Sequence, residues 1–124
     1  MISFTVFGQP VSMKNSRQLI PGKGNRRPMI IKSQKAREYE KSFLAQIMDF
    51  KGPLIETHVQ VKVIAYYASR RPDLDCELIC DCLQRGGILK NDRQIVIKHF
   101  TKKLDPENPR AEITIAELED WDER

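Results

Sequence analysis

Residues 57–67, THVQVKVIAYY, alternate polar and apolar side chains along a run rich in β-branched residues. This pattern predicts a half-buried β-strand. Val59, Val61, Val63 and Ala65 share one face of that strand, because successive side chains of a strand point to opposite sides. We expect this face to form the centre of the hydrophobic core, with the other elements arranged around it.

The segments on either side of this strand predict one mixed β-sheet with helices packed on it. Further strands are expected at 2–8, 28–32, 93–100 and 110–118, and helices after Ser33 and at 74–85. The order is β-β-α-β-α-β-β, which indicates an α/β fold of the α+β type in a single domain, 1–124. Residues 11–27 contain a Pro-Gly pair and a second Gly, and we expect a mobile loop there. The acidic residues 118–124 should form a frayed tail.

The two helices are predicted from their apolar periodicity. Ser33 is suited to N-cap the first helix. Tyr39, Phe43 and Ile47 then recur at every fourth position and form one apolar face. The second helix is expected to turn three side chains inward, namely Leu74, Leu78 and Cys82.

Composition and the start of the chain bear on where the protein works. Hydrophobic residues make up 40% of the sequence and charged residues 31%, as is typical of soluble globular proteins. No apolar run approaches the ~20 residues of a membrane-spanning helix. The first residues, MISFTVFGQP, show neither the basic region nor the cleavage site of a signal peptide. We therefore expect a cytoplasmic protein with no membrane partner.

The three cysteines lie close together in the sequence. Cys76, Cys80 and Cys82 are an odd number, which makes a poor disulfide framework. They also lack the CxxC spacing and the fourth ligand of a structural zinc site. We expect them to be structural residues packed on the second helix.

Positive charge is concentrated in one segment. Residues 11–37 contain eight Lys or Arg and no Asp or Glu, whereas residues 105–124 contain eight acids and two arginines. A solvated surface is one explanation of such a segment. However, eight like charges repel one another, and a polyanionic partner would relieve that repulsion. The segment therefore favours nucleic acid as a partner.

Three aspartates stand apart from this basic segment. Asp73 and Asp75 lie where the long strand leads into the second helix, and Asp92 lies between that helix and the next strand. If they converge, the three carboxylates form an all-oxygen site suited to Mg²⁺ or Mn²⁺. Such an ion can activate water beside a phosphodiester. Local capping is the alternative, because each Asp can also hydrogen-bond a nearby backbone N–H.

The acidic region resembles the RusA family of Holliday junction resolvases. The resemblance rests on RRPDLD at 70–75 and DCLQRGGILKNDRQIV at 81–96, which are similar to the family's R-x-D-x-D segment, helix and Asp-containing turn. The start of the chain is similar as well, at Pro10, Ser12, Lys14, Asn15, Arg17, Ser33 and Tyr39. The resemblance follows the family's order along nearly the whole chain.

The resemblance implies a fold, an activity and a set of site residues. RusA proteins are small, homodimeric, magnesium-dependent endonucleases that resolve four-way DNA junctions by paired cuts, one by each subunit. The family's metal-binding carboxylates fall on Asp73, Asp75 and Asp92. Mg²⁺ is the implied cofactor, and Mn²⁺ is compatible with the same ligands. The phosphate contacts are expected from Lys14, Arg17, Lys23, Arg26, Arg27 and Arg71.

Two departures from the family pattern concern catalysis. By the resemblance, Cys76 stands where the family has Asn, and Ile79 stands where it has a catalytic lysine. The segment between Asp75 and DCL (81–83) is also two residues shorter than in the family. We expect Lys90 or Arg93 to replace the lysine, because both flank Asp92. Two other functions stay open: a branched-DNA-binding protein that does not cut, and a small RNA-processing nuclease, since the contact to the 2′-hydroxyl leaves no mark in the sequence.

Overall fold

The structure is a computed structural model that describes residues 1–12, 17–50 and 52–119. In chain order the elements are β1 (Ile2–Phe7), β2 (Arg17–Ile20), β3 (Met29–Lys32), α1 (Gln34–Gln46), β4 (Val59–Tyr67), α2 (Glu77–Arg85), a 3₁₀ turn (Asp92–Gln94), β5 (Ile95–Leu104) and β6 (Arg110–Glu117). Four strands form an open mixed sheet in the order β1-β6-β4-β5. The predicted α+β fold, with one mixed sheet and two helices, is confirmed.

Strand β4 forms the centre of the sheet. It pairs in parallel with β5 and antiparallel with β6, and β6 in turn pairs antiparallel with β1. The expected inward residues Val59, Val61, Val63 and Ala65 are fully buried, as is Tyr67. They join one core cluster with residues of both helices, so α1 and α2 cover this face of the sheet. The predicted core face is therefore confirmed.

Helix α1 begins as its sequence predicts. The Ser33 hydroxyl accepts a hydrogen bond from the Ala36 backbone N–H at 3.2 Å, which makes Ser33 the N-cap. Tyr39, Phe43 and Ile47 are all buried against the sheet and α2. The apolar face of the first helix is confirmed.

Part of the predicted loop 11–27 is a strand. Residues 17–20 form β2, which pairs antiparallel with β3, so that Arg17 lies opposite Lys32 and Ile20 opposite Met29. The intervening Pro-Gly segment connects the two strands. A four-residue run carries little periodicity of its own. The hydrogen bonds with β3, which are a tertiary feature, define the strand.

Ion pairs attach this hairpin to both helices. The Lys32 ammonium lies 2.8 Å from a Glu40 oxygen and 3.0 Å from an Asp81 oxygen. Arg85 also pairs with Glu40, which is 9% exposed, and with Asp81 at 3.2 Å. Partial burial opposes the charged form of Lys32, but hydrogen bonds and charge from Glu40 and Asp81 raise its pKa. One charge of the basic segment is thus neutralised by acids distant in sequence.

Helix α2 is shorter than predicted. It begins at Glu77 rather than at residue 74, and Leu74 lies in the preceding segment, where it is partly buried. Leu78 and Cys82 point inward as expected. All three cysteines are buried with free thiols. Burial is the main cause that raises each thiol pKa to about 12, so these groups are neutral packing residues at physiological pH.

The last predicted strands are present with shifted ends. A 3₁₀ turn occupies Asp92–Gln94, and β5 then continues to Leu104, four residues beyond the predicted end. At the end of β6, the Leu118 N–H donates to the His58 carbonyl at 2.8 Å. The rest of the predicted tail, from residue 120, lies outside the described residues. Neither helix in the described part of the chain is long and apolar enough to cross a membrane.

Candidate active site at the β4–α2 connection

The connection from β4 to α2 is attached to both β4 and β5. The Tyr67 hydroxyl donates to the Asp73 backbone carbonyl at 3.4 Å. The Lys102 ammonium donates to the carbonyls of Arg70, at 2.9 Å, and Pro72. It also lies 5.6 Å from the centroid of the Tyr67 ring, within the range of a cation–π contact. These contacts fix the backbone that presents Asp73.

Asp75 is the buried carboxylate of the candidate site. It is 6% exposed, and its two oxygens accept hydrogen bonds from the Ser12 hydroxyl at 3.1 Å and the Glu77 N–H at 3.0 Å. The second bond places the negative charge at the N-terminal end of α2, where the helix dipole favours it. The local capping considered for Asp75 is therefore present, together with a contact to a distant segment.

Asp73 and Asp92 differ from Asp75 because both side chains are exposed. The turn at Asp92 is capped by Asn91. The Asn91 side-chain oxygen accepts a hydrogen bond from the Arg93 backbone N–H, and the Asn91 backbone N–H donates to the side-chain oxygen of Gln94. Within residues 1–12, 17–50 and 52–119, no hydrogen bond or ion pair to the carboxylate of Asp73 or Asp92 is present. Among the described residues, the side chains of Asp73 and Asp92 therefore do not cap a helix or a turn, which was the alternative explanation for them.

A group of charges surrounds the Cys80 thiol. Burial is the main cause of its raised pKa; Lys98 lowers that pKa, whereas Glu77, Asp92 and Asp75 raise it. Two of these charges, Lys98 and Glu77, form an ion pair at 2.9 Å, and Glu77 is the first residue of α2, the helix that carries Cys80.

The three aspartates do not form a closed metal site in this structure. In the described ranges, no group of three or more His, Cys, Asp or Glu is arranged to hold a metal ion. Asp73 is attached to Tyr67 at the end of β4, whereas Asp92 precedes Ile95, which pairs with Val59 at the start of β4. The sequence left convergence of the three carboxylates open, and their joint binding of a metal ion stays a prediction.

The donor chemistry nonetheless fits magnesium. Carboxylate oxygens are hard ligands, and Mg²⁺ in proteins is commonly held by one or two of them together with water and substrate phosphate. Asp75 is fixed in place, and the carboxylates of Asp73 and Asp92 are exposed. The residues fit an ion that is bound by Asp75, by Asp73 or Asp92, and by the substrate phosphate. They do not fit an ion whose ligands all come from the protein.

The two cations expected to replace the family lysine lie at different places. The Lys90 ammonium is 3.1 Å from a Glu56 oxygen, and both side chains are mostly exposed. Its backbone N–H donates to the Ile55 carbonyl, which attaches Lys90 to the segment before β4. Arg93 is exposed in the 3₁₀ turn.

One cation at the acidic group was missed from the sequence. The Lys98 ammonium contacts both Glu77 oxygens, at 2.9 and 3.1 Å. Lys98 lies opposite Val61 in the parallel β4–β5 pair, and Lys102 lies opposite Ala65, so both lysines share the helix-facing side of β5. The sequence contained one indication of this position: Lys98, Phe100 and Lys102 lie two residues apart and therefore on the same face of β5, and Phe100 is partly buried.

The predicted phosphate contacts are distributed over two regions. Lys23, Arg26 and Arg27 are exposed in the β2–β3 connection. Arg71 lines a groove whose other polar residues are Gln9, Ser12, Ser33, Lys35 and Asp73. Lys14 lies outside the described residues, as does the side chain of Arg17.

One protein-family model covers all the residues of the candidate site. The family model of the endodeoxyribonuclease RusA matches residues 8–116. The chain belongs to the RusA family. This membership implies an endonuclease that acts on Holliday junctions, which are branched DNA. No curated protein matches the sequence significantly.

The position of the RusA lysine has a different environment in this chain. Ile79 is 1% exposed and belongs to the core cluster. A lysine ammonium at this position would be buried among apolar side chains at a large desolvation cost. Residue 79 lies in the first turn of α2, on the side of the helix that packs into the core. The lysine therefore has no equivalent on α2 at this position.

Lys102→Met should loosen the connection that carries Asp73. Removing two charge-assisted hydrogen bonds to backbone carbonyls should lower the free energy of unfolding by about 1–2 kcal/mol. It should also speed amide hydrogen exchange in residues 68–76, measured by mass spectrometry. Lys103→Met is the matched control, because Lys103 is exposed on the other side of β5. Equal exchange in both variants would show that Lys102 does not hold this connection.

Proposed function

We propose that this protein is a metal-dependent endonuclease that resolves four-way (Holliday) junctions by paired phosphodiester hydrolysis. The observation that supports the proposal best is the state of the three aspartates in a RusA-family chain. Asp75 is buried and oriented by two donors, while Asp73 and Asp92 present carboxylates to solvent. Exposed acids beside a basic surface are suited to a cation that is shared with phosphate.

In this proposal Asp73, Asp75 and Asp92 hold one or two divalent ions, with Mg²⁺ as the cofactor and Mn²⁺ as a possible substitute. The bound metal would supply Lewis-acid polarisation of the phosphodiester and a lowered pKa for the attacking water. The protein's own residues orient the ligands. The Ser12 hydroxyl and the Glu77 N–H fix Asp75, and Lys102 and Tyr67 fix the backbone at Asp73.

The DNA backbone would follow the basic residues around this site. Arg71 and Lys35 line the groove next to Asp73, and no ion pair of either is present among the described residues. Lys23, Arg26 and Arg27 extend the positive surface along the hairpin. Lys14 and Arg17 belong to the same proposed set. Such contacts supply affinity for phosphate and carry little sequence information.

A homodimer would match the symmetry of the substrate. A four-way junction has approximate two-fold symmetry, so two equivalent sites can meet two equivalent strands. This assembly would place one cut in each of two opposed strands, the paired cleavage that the proposal requires. Since the family acts on DNA, we propose the cytoplasm as the location.

One observation favours a second function. The residue at the position of the RusA lysine is Ile79, and it is buried. A protein of this fold without that cation could bind branched DNA and not cut it. The two functions differ in one measurable property, which is cleavage at saturating binding.

Asp75→Asn should abolish junction cleavage and leave junction binding intact or tighter. Asparagine keeps an acceptor for the Glu77 N–H, so the fold should persist, but it removes a metal ligand and a negative charge that faces phosphate. Cleavage is measured in a gel assay with a labelled four-way junction in Mg²⁺, and binding by mobility shift in EDTA. Asp49→Asn, at an exposed position in the turn after α1, is the control. Wild-type cleavage by Asp75→Asn would refute the role of this carboxylate.

Replacing Lys23, Arg26 and Arg27 by alanine should weaken binding to all DNA and lower its salt dependence. Each lost phosphate contact reduces the slope of log affinity against log salt concentration by about 0.9 for duplex DNA. Fluorescence anisotropy over a salt series measures both quantities. Lys62→Ala removes an exposed charge from β4 and serves as the control. If the triple variant keeps the wild-type slope, the hairpin is a solvated surface and not part of the DNA interface.

A further inference from the structure

We propose that Lys98, held by Glu77, is the cation that faces the scissile phosphate in this protein and performs the role of the lysine that α2 lacks. The assignment rests on the proposed nuclease function. In this assignment the cation comes from the edge strand β5 and not from helix α2.

The geometry of the edge strand positions Lys98 at the site. Its backbone lies opposite Val61 in the parallel pairing with β4, on the side of the sheet that the helices cover. From there the side chain reaches the first turn of α2, where the ammonium contacts both Glu77 oxygens at 2.9 and 3.1 Å. Lys98 retains 38% side-chain exposure and Glu77 49%, so a ligand in solvent can approach the pair.

This ion pair adjoins the candidate metal ligands. The Glu77 backbone N–H donates to Asp75 at 3.0 Å, so one residue connects Lys98 to the buried carboxylate. Partial burial lowers the pKa of Lys98, but Glu77, Cys80 and Asp92 raise it more, so the pKa lies above that of an ordinary lysine. The ammonium is therefore positively charged at neutral pH.

Other cations near the acids are engaged elsewhere or lie at another edge. Lys102 donates to two backbone carbonyls, and Lys90 pairs with Glu56. Arg71 borders the groove beside Asp73. Lys98 contacts Glu77, one of the two residues described above that donate to Asp75.

The chemistry of an ammonium suits this position. A lysine has three donors, and the contact with Glu77 leaves capacity to donate to a phosphate oxygen. Glu77 limits the conformations of the long side chain, which reduces the entropy lost when phosphate binds. Negative charge that builds up on the phosphate in the transition state would then meet a cation already in place.

A structural role is the competing explanation. Charged residues that point inward on an edge strand prevent that strand from pairing with another molecule. β5 is an edge strand of the four-stranded sheet. In that case replacing Lys98 would increase self-association beyond that of the wild type and leave unchanged the cleavage rate of the protein that elutes at the wild-type size.

The test is single-turnover cleavage of a labelled four-way junction at saturating protein in Mg²⁺. Lys98→Met should reduce the cleavage rate about 10²–10³-fold, the usual effect of losing one donor to a developing charge. Junction affinity in Ca²⁺ should change little by comparison, and Lys98→Arg should recover part of the rate. Lys103→Met, on the opposite side of the same strand, should cleave at the wild-type rate. Circular dichroism and size-exclusion chromatography check the fold and the association state.

Each outcome has a separate consequence. If wild type cleaves and Lys98→Met cleaves equally fast, the Lys98 assignment is overturned and the nuclease function stands. The same holds if Lys90→Met or Arg93→Met loses the rate instead, or if Lys98→Met only self-associates. If wild type binds junctions without cutting them, both the nuclease function and the catalytic role of Lys98 are overturned. If Lys98→Met loses the rate but keeps its junction affinity, the assignment is supported, with or without rescue by Lys98→Arg. If the rate falls only as far as the junction affinity does, the assignment is overturned.

Discussion

The pairing of β4 on both of its edges is the constraint on which the rest of the structure depends. Residues 59–67 pair in parallel with β5 and antiparallel with β6. All five of the strand's core-facing side chains are fully buried. Because β5 runs parallel to β4, the chain must return along the sheet between them, and α2 provides that return. The connections at the two ends of α2 are the segments that carry the acidic residues.

The edge position of β5 gives the site its cations. A parallel neighbour places side chains of β5 on the same face as the core residues of β4, and two of those positions are lysines. Neither ammonium can be buried among apolar groups without a partner. Lys102 is satisfied by the carbonyls that precede Asp73, and Lys98 by Glu77 at the start of α2. The same two contacts hold the connection and the helix that present the carboxylates.

Local signals explain which parts of the fold the sequence predicts. The alternation in β4 and the serine before α1 act over a few residues, and both are confirmed. The strand at 17–20 was missed because its partner, and not its own pattern, stabilises it. The start of α2 was placed three residues too early, because Leu74 fits the helical period although Asp75 accepts the hydrogen bond that opens the helix.

The candidate site is less predictable because it depends on distances between elements. The sequence indicates which carboxylates are available, and it identified Asp73, Asp75 and Asp92 as candidates. It does not indicate that Asp75 is buried and hydrogen-bonded to Ser12 while Asp73 and Asp92 are exposed, or that Ile79 faces the core. Lys98 was overlooked because it is 23 residues from Asp75 in the sequence and reaches α2 only through the parallel pairing.

The central claim is that these carboxylates, in a RusA-family chain, form a metal-dependent site for cutting branched DNA. The most direct measurement is the cleavage of an end-labelled four-way junction and, separately, of a linear duplex of the same sequence, each incubated with the purified wild-type protein. The account predicts paired, opposed cuts in the junction in Mg²⁺, little cutting of the duplex, and none in excess EDTA. Equal cutting of both DNAs, cutting that persists in EDTA, or tight junction binding without any cut in Mg²⁺ or Mn²⁺ would contradict it.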